Sequence, residues 1–345
     1  MKTKWIIISL IVLAILATAG YFAHKYYQFI YGDNTQLPEN TEHDFVYIPG
    51  SSSYQMVKDS IAPLLKDTDA FDWVAEKKGY PAVVKSGRYK IEKGMSNNEI
   101  INLLRSGKQT PIDISFTNLR NLNQLAGKVS EKLEPDSADF SRFFHNDSVA
   151  ESYGFDEFSF PAMFIPNTYN FFWDTDVNEF TDRMKEEYHR FWTQTRMEKA
   201  EKAGLNPVQV STLASIVEKE SIKNNEKPRI AGVYINRLQK GMPLQADPTL
   251  VFAIGDFSLR RVLNKHKKID SPYNTYLNPG LPPGPIGLPE ISSIDAVLNY
   301  EDHGYYFFCA KPDNSGYHDF SKTYAQHRQY AREYQRTLDM QRIYK

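Results

Sequence analysis

The sequence predicts an α+β protein: an N-terminal apolar helix, a small module of alternating strands and helices, and a mainly helical remainder with a loop-rich stretch. Three observations lead there. Residues 5–23 carry no charge, and between residues 45 and 116 the order strand, turn, capped helix occurs twice. From about residue 117 apolar residues recur with the helical period, until Pro and Gly crowd into 241–290. A chain of 345 residues has room for two domains beside the first helix.

The segment "WIIISLIVLAILATAGYFA" (5–23) follows Lys2 and Lys4. As a helix it would run roughly 28 Å, close to the hydrocarbon thickness of a bilayer. The basic flank favours leaving residues 1–4 in the cytoplasm, with Lys25 weakening that asymmetry. Ala17-Thr18-Ala19 has the form of a signal-peptidase site, so a cleaved signal is the alternative. Both readings put the body of the protein outside the cytoplasm. Residues 24–44, with "GDNTQLPENTEHD", read as a polar linker.

In the module (45–116), "FVYIPGSSSYQMVKDSIAPLL" gives a strand, a Pro-Gly turn, a serine cluster as cap and a helix. "GRYKIEKGMSNNEIINLLRSGK" repeats the order. There Ser96 and Glu99 fit a capping box, Ile100, Ile101 and Leu104 the buried stripe, and Gly107 a C-terminal stop. "AFDWVAEKKGY" between them reads as a short helix, and "PIDISF" as a closing strand. Nothing in the module has the residue types for catalysis. Beyond it, periodicity predicts helices over 121–133, 138–145, 177–203, 206–223 and 228–239. The aromatic run "FIPNTYNFFW" (164–173) is either a core wedge or a platform facing sugar rings. "YYFFCA" and "HDFSKTYAQHRQY" predict a strand, a turn and a closing helix.

A net charge of −1 carries no nucleic-acid footprint. The single cysteine, Cys309, excludes an intrachain disulfide and a cysteine metal site. No phosphate loop, HExxH or G-x-S-x-G occurs, and His303 and His318 read as surface or satisfied histidines. Carboxylate chemistry remains, and glycoside cleavage is where it is strongest. In "LASIVEKESI" (213–222), Val210, Leu213, Ile216 and Val217 share one helix face, and Glu220 projects near its middle. Glu218 lies among Ser211, Ala214, Ser215 and Ser221. A carboxyl on an apolar face either pairs with a buried cation, for which Arg237 in "YINRL" is available, or keeps its proton through desolvation. The second state suits a general acid. Gln245, Asp247, Tyr273, Asn274 and Tyr276, in the nearby loop-rich stretch, are amides, phenols and a carboxylate suited to acetamido sugars.

"LASIVEKES", "GVYINRL", "GMPLQADPT", "SPYNTY" and "GLPPGPI" together resemble the YceG-like (MltG) endolytic murein transglycosylases, from about residue 44 onward. The sequence departs at 161–170, where the family often has Glu-Gly before an aromatic-Pro-Asp-Thr-Tyr motif and this chain has "AMFIPNTY". The resemblance implies a LysM-like module over 45–116 and a catalytic domain over 117–345. The catalytic acid is then the Glu before Ser or Thr, here Glu220, with Glu218 the second choice or a substrate-contacting neighbour. It implies cleavage between MurNAc and GlcNAc within glycan strands, leaving 1,6-anhydroMurNAc ends and terminating or trimming nascent strands. Gln245 and Asn274 are expected to hold acetamido groups and Tyr273 to stack, with loop-fixing as the other possibility. Asp247 is a turn-former or an orienting carboxylate; Asn236 and Tyr276 complete the expected contacts. No cofactor, metal or nucleic acid is expected, and the partners are peptidoglycan, the cytoplasmic membrane and peptidoglycan synthases. The alternatives are a muramidase-type hydrolase using Asp247, and a non-catalytic wall-binding scaffold.

Overall fold

A computed structural model describes residues 2–259 and 262–340. Met1 of the expected cytoplasmic tail and residues 260, 261 and 341–345 of the expected catalytic domain lie outside the described residues. The fold is mixed helix and sheet. It divides into two compact units: Met1–Asp113 with Lys132–Glu134 and Asn170–Asp176, and Ile114–Glu131 with Pro135–Tyr169 and Val177–Lys345.

In the first unit, helix α1 (Lys2–Tyr31) is long and apolar enough to cross a membrane, as a signal sequence also is, and its apolar window is not buried in the protein. Strand β1 (His43–Ile48), helices α2 (Tyr54–Ile61) and α3 (Thr68–Lys77), strand β2 (Gly87–Glu92) and helix α4 (Asn97–Ser106) follow. β1 and β2 are antiparallel, His43 opposite Glu92 and Ile48 opposite Gly87. The alternation of each strand turns Val46, Ile48, Tyr89 and Ile91 onto one face, against Ile61, Phe71, Ile101 and Leu104 of the helices. The capping box of Ser96 and Glu99 starts α4. Gly107, at φ 72, ends it in the left-handed conformation that glycine adopts without strain.

Several features differ from the sequence reading. α1 continues eight residues past Ala23, and the segment after it is fastened down rather than free. Asn34, buried, donates to Asp67 O at 2.8 Å and to Asn97 Oδ1 at 2.7 Å. A polar segment reads as a linker in composition, but an asparagine with buried partners makes it a clasp. The stretch 170–176 also belongs to this unit: Trp173 packs edge-on against Tyr47, and Asp174 accepts from Ser86 and Gln109.

After β3 (Ile112–Ser115), the chain forms α5 (Leu122–Ser130), α6 (Ser137–Phe144), α7 (Asp147–Ser152) and β4 (Thr168–Phe171), which pairs with β3. Phe164, Ile165 and Tyr169 are buried, so this part of the aromatic run is core. The expected helix 177–203 is two, α8 (Val177–Phe191) and α9 (Gln194–Lys202), because the Thr193 hydroxyl caps a fresh start by accepting from Arg196 N. Helices α10 (Pro207–Glu220) and α11 (Lys227–Gln239) follow. The loop-rich stretch contains a helix that composition concealed, α12 (Asp247–Ile254), with Pro248 in its first turn. Then come α13 (Ile291–Leu298), the antiparallel pair β5 (Phe307–Ala310) and β6 (His318–Ser321), and α14 (Tyr324–Met340).

Candidate active site

α10 begins with a capping box, Asn206 with Gln209, and with Pro207 in its first turn. Every residue from Val210 to Val217 is buried, so both the apolar face and the small polar face are packed. Ser215 shows how the small face is used: its hydroxyl accepts from Ile286 N at 2.9 Å. The helix does not reach residue 223. Ser221 is extended (φ −144, ψ 136), which makes Glu220 the last helical residue.

Glu220 is half-buried at that end, and the Tyr234 hydroxyl of α11 donates to its Oε1 at 2.6 Å. Desolvation raises its pKa from 4.5 to about 7. The Tyr234 hydrogen bond opposes the rise, the negative charge of Asp247 adds to it, and His318 and Arg237 oppose it more weakly. The Tyr234 phenol, desolvated beside a carboxyl, is pushed well above its ordinary pKa and stays a donor. Arg237 is not the carboxyl's hydrogen-bond partner: its guanidinium donates to the carbonyls of Tyr306 (2.7 Å) and Leu244 (2.6 Å). The carboxyl therefore holds a proton near neutral pH and gives it up readily, as an acid–base group needs.

Glu218 faces the other side of α10. It accepts from Glu290 N at 2.7 Å and from the Ser293 hydroxyl at 3.0 Å, and the buried Lys227 Nζ donates to Ser293 at 3.1 Å. Those bonds fasten α10 to α13 and to the start of α11.

The remaining sequence-predicted residues fall into two groups. Asp247 and Tyr276 are close enough to Glu220 for their charges to interact, and Gln245 stands two residues before Asp247. The Tyr276 hydroxyl donates to Asp247 Oδ1 at 2.5 Å, and the charges of Asp247 and Glu220 act on each other and on Tyr276. Gln245 has an exposed side chain and a backbone φ of 51, a left-handed conformation that costs a non-glycine residue roughly 1 kcal/mol or more. Its buried neighbours Leu244 and Ala246, with Gln245 N bonded to Thr275 O, hold it there.

Asn236, Asn274 and Tyr273 form the second group, and their polar or apolar surfaces are used within the protein. The Asn274 amide donates to the carbonyls of Lys267 and Ile269, and its oxygen accepts from Tyr276 N. Tyr273 packs between Phe252 and Phe158. Asn236 donates to the carbonyls of His303 and Tyr305. That loop runs so close to α11 that a Cβ on Gly232 would sit 2.4 Å from Glu301 O. Sequence reasoning missed Tyr234, although it lies three residues before Arg237 and so on the same helix face.

The family model of YceG-like proteins matches residues 46–333. This chain belongs to the YceG-like family. A relative from Bacillus subtilis (strain 168), named endolytic murein transglycosylase, is 32% identical over 330 residues, covering 87% of this chain and 88% of the relative. One of the same name from Streptococcus pneumoniae (serotype 2, strain D39) is 27% identical over 344 residues; the match takes in 89% of this chain but 61% of that longer protein. The 2.6 Å crystal structure of a YceG-like protein from Listeria monocytogenes superposes with a TM-score of 0.54 at 27% identity. That match covers 84% of this chain and 98% of the Listeria chain.

Proposed function

We propose that this YceG-like chain is an endolytic peptidoglycan lytic transglycosylase with Glu220 as its acid and then its base. The observation that carries the reading is the Glu220 carboxyl, partly accessible at the end of α10, raised to a pKa of about 7 and held by Tyr234. The names of the relatives supply the reaction class. Glu220 gives its proton to the oxygen between MurNAc C1 and GlcNAc as that C–O bond breaks. The bonding pair leaves with the oxygen, and positive charge develops at C1. The C6 hydroxyl of the same MurNAc closes on C1, and its proton returns to the Glu220 carboxylate. No water is consumed, and a held intramolecular nucleophile supplies the proximity advantage. Gln245 and Tyr276 reach toward the sugar, Asp247 sets the local charge, and Asn274, Tyr273 and Asn236 hold the surrounding loops. Glu218 braces α10.

Mass spectrometry of digested glycan strands tests this. Products one water lighter than hydrolysis products, with 1,6-anhydro ends in mid-strand fragments, are the expected result. Reducing MurNAc ends would support the second reading, a muramidase-type hydrolase, which the electrostatic coupling of Asp247 to Glu220 favours.

The same reading makes α1 a single-pass anchor in the bacterial cytoplasmic membrane, with residues 1–4 inside and the catalytic domain (117–345) on the outer side. The module over 45–116 is LysM-like and retains glycan, and membrane-bound synthases are the natural partners of an enzyme trimming nascent strands. Intact protein in the membrane fraction is expected; an N-terminus at Gly20 would mean a cleaved signal. Replacing the module should weaken retention on insoluble peptidoglycan and leave slow cleavage.

A further inference from the structure

Helix α1 does not end where its apolar run ends. Beyond Ala23 the same helix continues through "HKYYQFIY" to Tyr31. One side of that extension is docked on the strand–helix module. Ile30 packs against the module core, the Tyr26 ring stacks on Trp73 of α3 at 5.3 Å, and the Asn97 amide of α4 donates to Phe29 O at 2.8 Å. The turn that follows is tied down too, by Lys66 Nζ on Asp33 Oδ2 at 2.5 Å and by the buried Asn34. The module is thus mounted directly on the helix.

Helix geometry then sets the level of each side chain. At 1.5 Å per residue, Tyr26 and Tyr27 stand roughly 4.5–6 Å beyond Ala23 along the axis, and Tyr31 roughly 12 Å. The polar layer outside the hydrocarbon is about 5–8 Å thick on each side of a bilayer. With the uncharged run 5–23 filling the hydrocarbon, Tyr26 and Tyr27 stand among the headgroups, and Trp73 is carried to the same level by its stacking on Tyr26. Tyr27 and Tyr31, about a quarter turn from the docked side, are 59% and 55% exposed, so nothing in the protein covers them. Two lysines flank the rings: Lys25 Nζ lies 5.4 Å from the centre of Phe29, and Lys77 Nζ 5.8 Å from that of Trp73. Amphipathic rings and long lysines are the side chains that settle at a membrane–water boundary.

We propose that Tyr26, Tyr27 and Trp73, with Lys25 and Lys77, form a second membrane contact, through which the α3 side of the module lies in the headgroup layer of the bilayer that α1 spans. This rests on the reading of α1 as a membrane anchor. The rings carry the contact rather than net charge. Asp72 of α3 is engaged by Lys58 and Tyr54, and Glu76 is exposed next to Lys77, so the charges on this side nearly balance. The contact fixes the height of the module and also which of its sides faces lipid.

The test uses the full chain in vesicles of phosphatidylethanolamine and phosphatidylglycerol, with Cys309→Ala removing the native thiol. Lys77→Cys, at an exposed position, carries a fluorophore, and a small fraction of the lipid bears a nitroxide on its headgroup in both leaflets. His24→Cys, labelled the same way, reports the anchor alone. Quenching at position 77 of at least half that at position 24 is the expected result, and it should persist in vesicles of phosphatidylcholine. Quenching at 24 without quenching at 77 would leave the anchor standing and overturn the proposed contact. Absence of quenching at both would overturn the anchor reading and the contact with it. Quenching at 77 confined to the phosphatidylglycerol vesicles would make the contact electrostatic and overturn the role given to the rings.

Discussion

The strand–helix module and the α10–α11 pair are both densely packed, but they bury different chemistry. In the module the core is aliphatic and aromatic, and the buried polar residues around it, Asn34, Ser96 and Asn97, are neutral and bonded. Around α10 and α11 the buried set includes Glu226, Lys227 and Arg237, with Glu220 at the edge. Ionised groups held away from water cost stability unless each is answered, so a chain keeps them where they do something else. The buried interior of the module serves its packing, whereas the helix pair gives up some stability to hold ionisable groups in place.

Substitutions can break that contrast, and the largest effect is expected at the proposed acid. Glu220→Gln keeps shape and a hydrogen-bonding oxygen but cannot donate the proton, so glycan cleavage should drop by about 10²–10⁴-fold. Retained cleavage would place the acid elsewhere, with Glu218 the first residue to try. A comparable effect of opposite kind is expected in the module. Ile101→Ala, at a fully buried position, should lower stability in denaturant titration by about 2–5 kcal/mol, with the pH profile of cleavage unchanged.

The third test concerns pH. The folded Glu220 carboxyl binds its proton more tightly than the unfolded one, so between 4.5 and about 7 the native state holds the extra proton. Stability from this group is fully present below 4.5 and is lost as pH rises through about 7. Glu220→Gln should therefore melt above the parent at pH 8, by at most about 3 kcal/mol, with the advantage vanishing by pH 4. A parent more stable at pH 8 would mean that Glu220 is ionised and paired there.

The smaller effects test the bracing. Glu218→Gln should cost about 1–2 kcal/mol by weakening the bonds to Glu290 N and Ser293, with cleavage still measurable. Ser96→Ala should cost about 1 kcal/mol through its lost cap and leave cleavage unchanged.

Legibility in the sequence follows the same contrast. Ser96, Glu99 and Gly107 were readable because capping is decided within a few residues. Glu220 stood out because it interrupts an apolar stripe. Its partner did not, since Tyr234 and Arg237 share a face of α11 and only the placement of α11 against α10 decides between them. Asn274 has the right chemistry for an acetamido group, but composition cannot reveal that two carbonyls of its own loop already engage its amide. The clasp at Asn34, the break at Thr193 and the helix opening at Asp247 escaped for similar reasons: one side chain with a distant or local partner overruled the average of its neighbours. The Glu226 carboxylate and the His318 ring, 2.8 Å apart in the fold, are 92 positions apart in sequence and carry no motif.

One consequence follows from where α10 stops. A 14-residue helix whose peptide dipoles align ends with a partial negative charge of roughly half an electron, and Glu220 stands at that pole. A carboxylate there meets like charge, which adds to the cost of surrendering the proton and to the gain on recovering it. On the proposed mechanism the helix terminus works as a restoring force: it makes the proton a loan that the site is driven to reclaim within each turnover. Lengthening α10 by a turn would carry that pole past the carboxyl and leave the acid slower to reset.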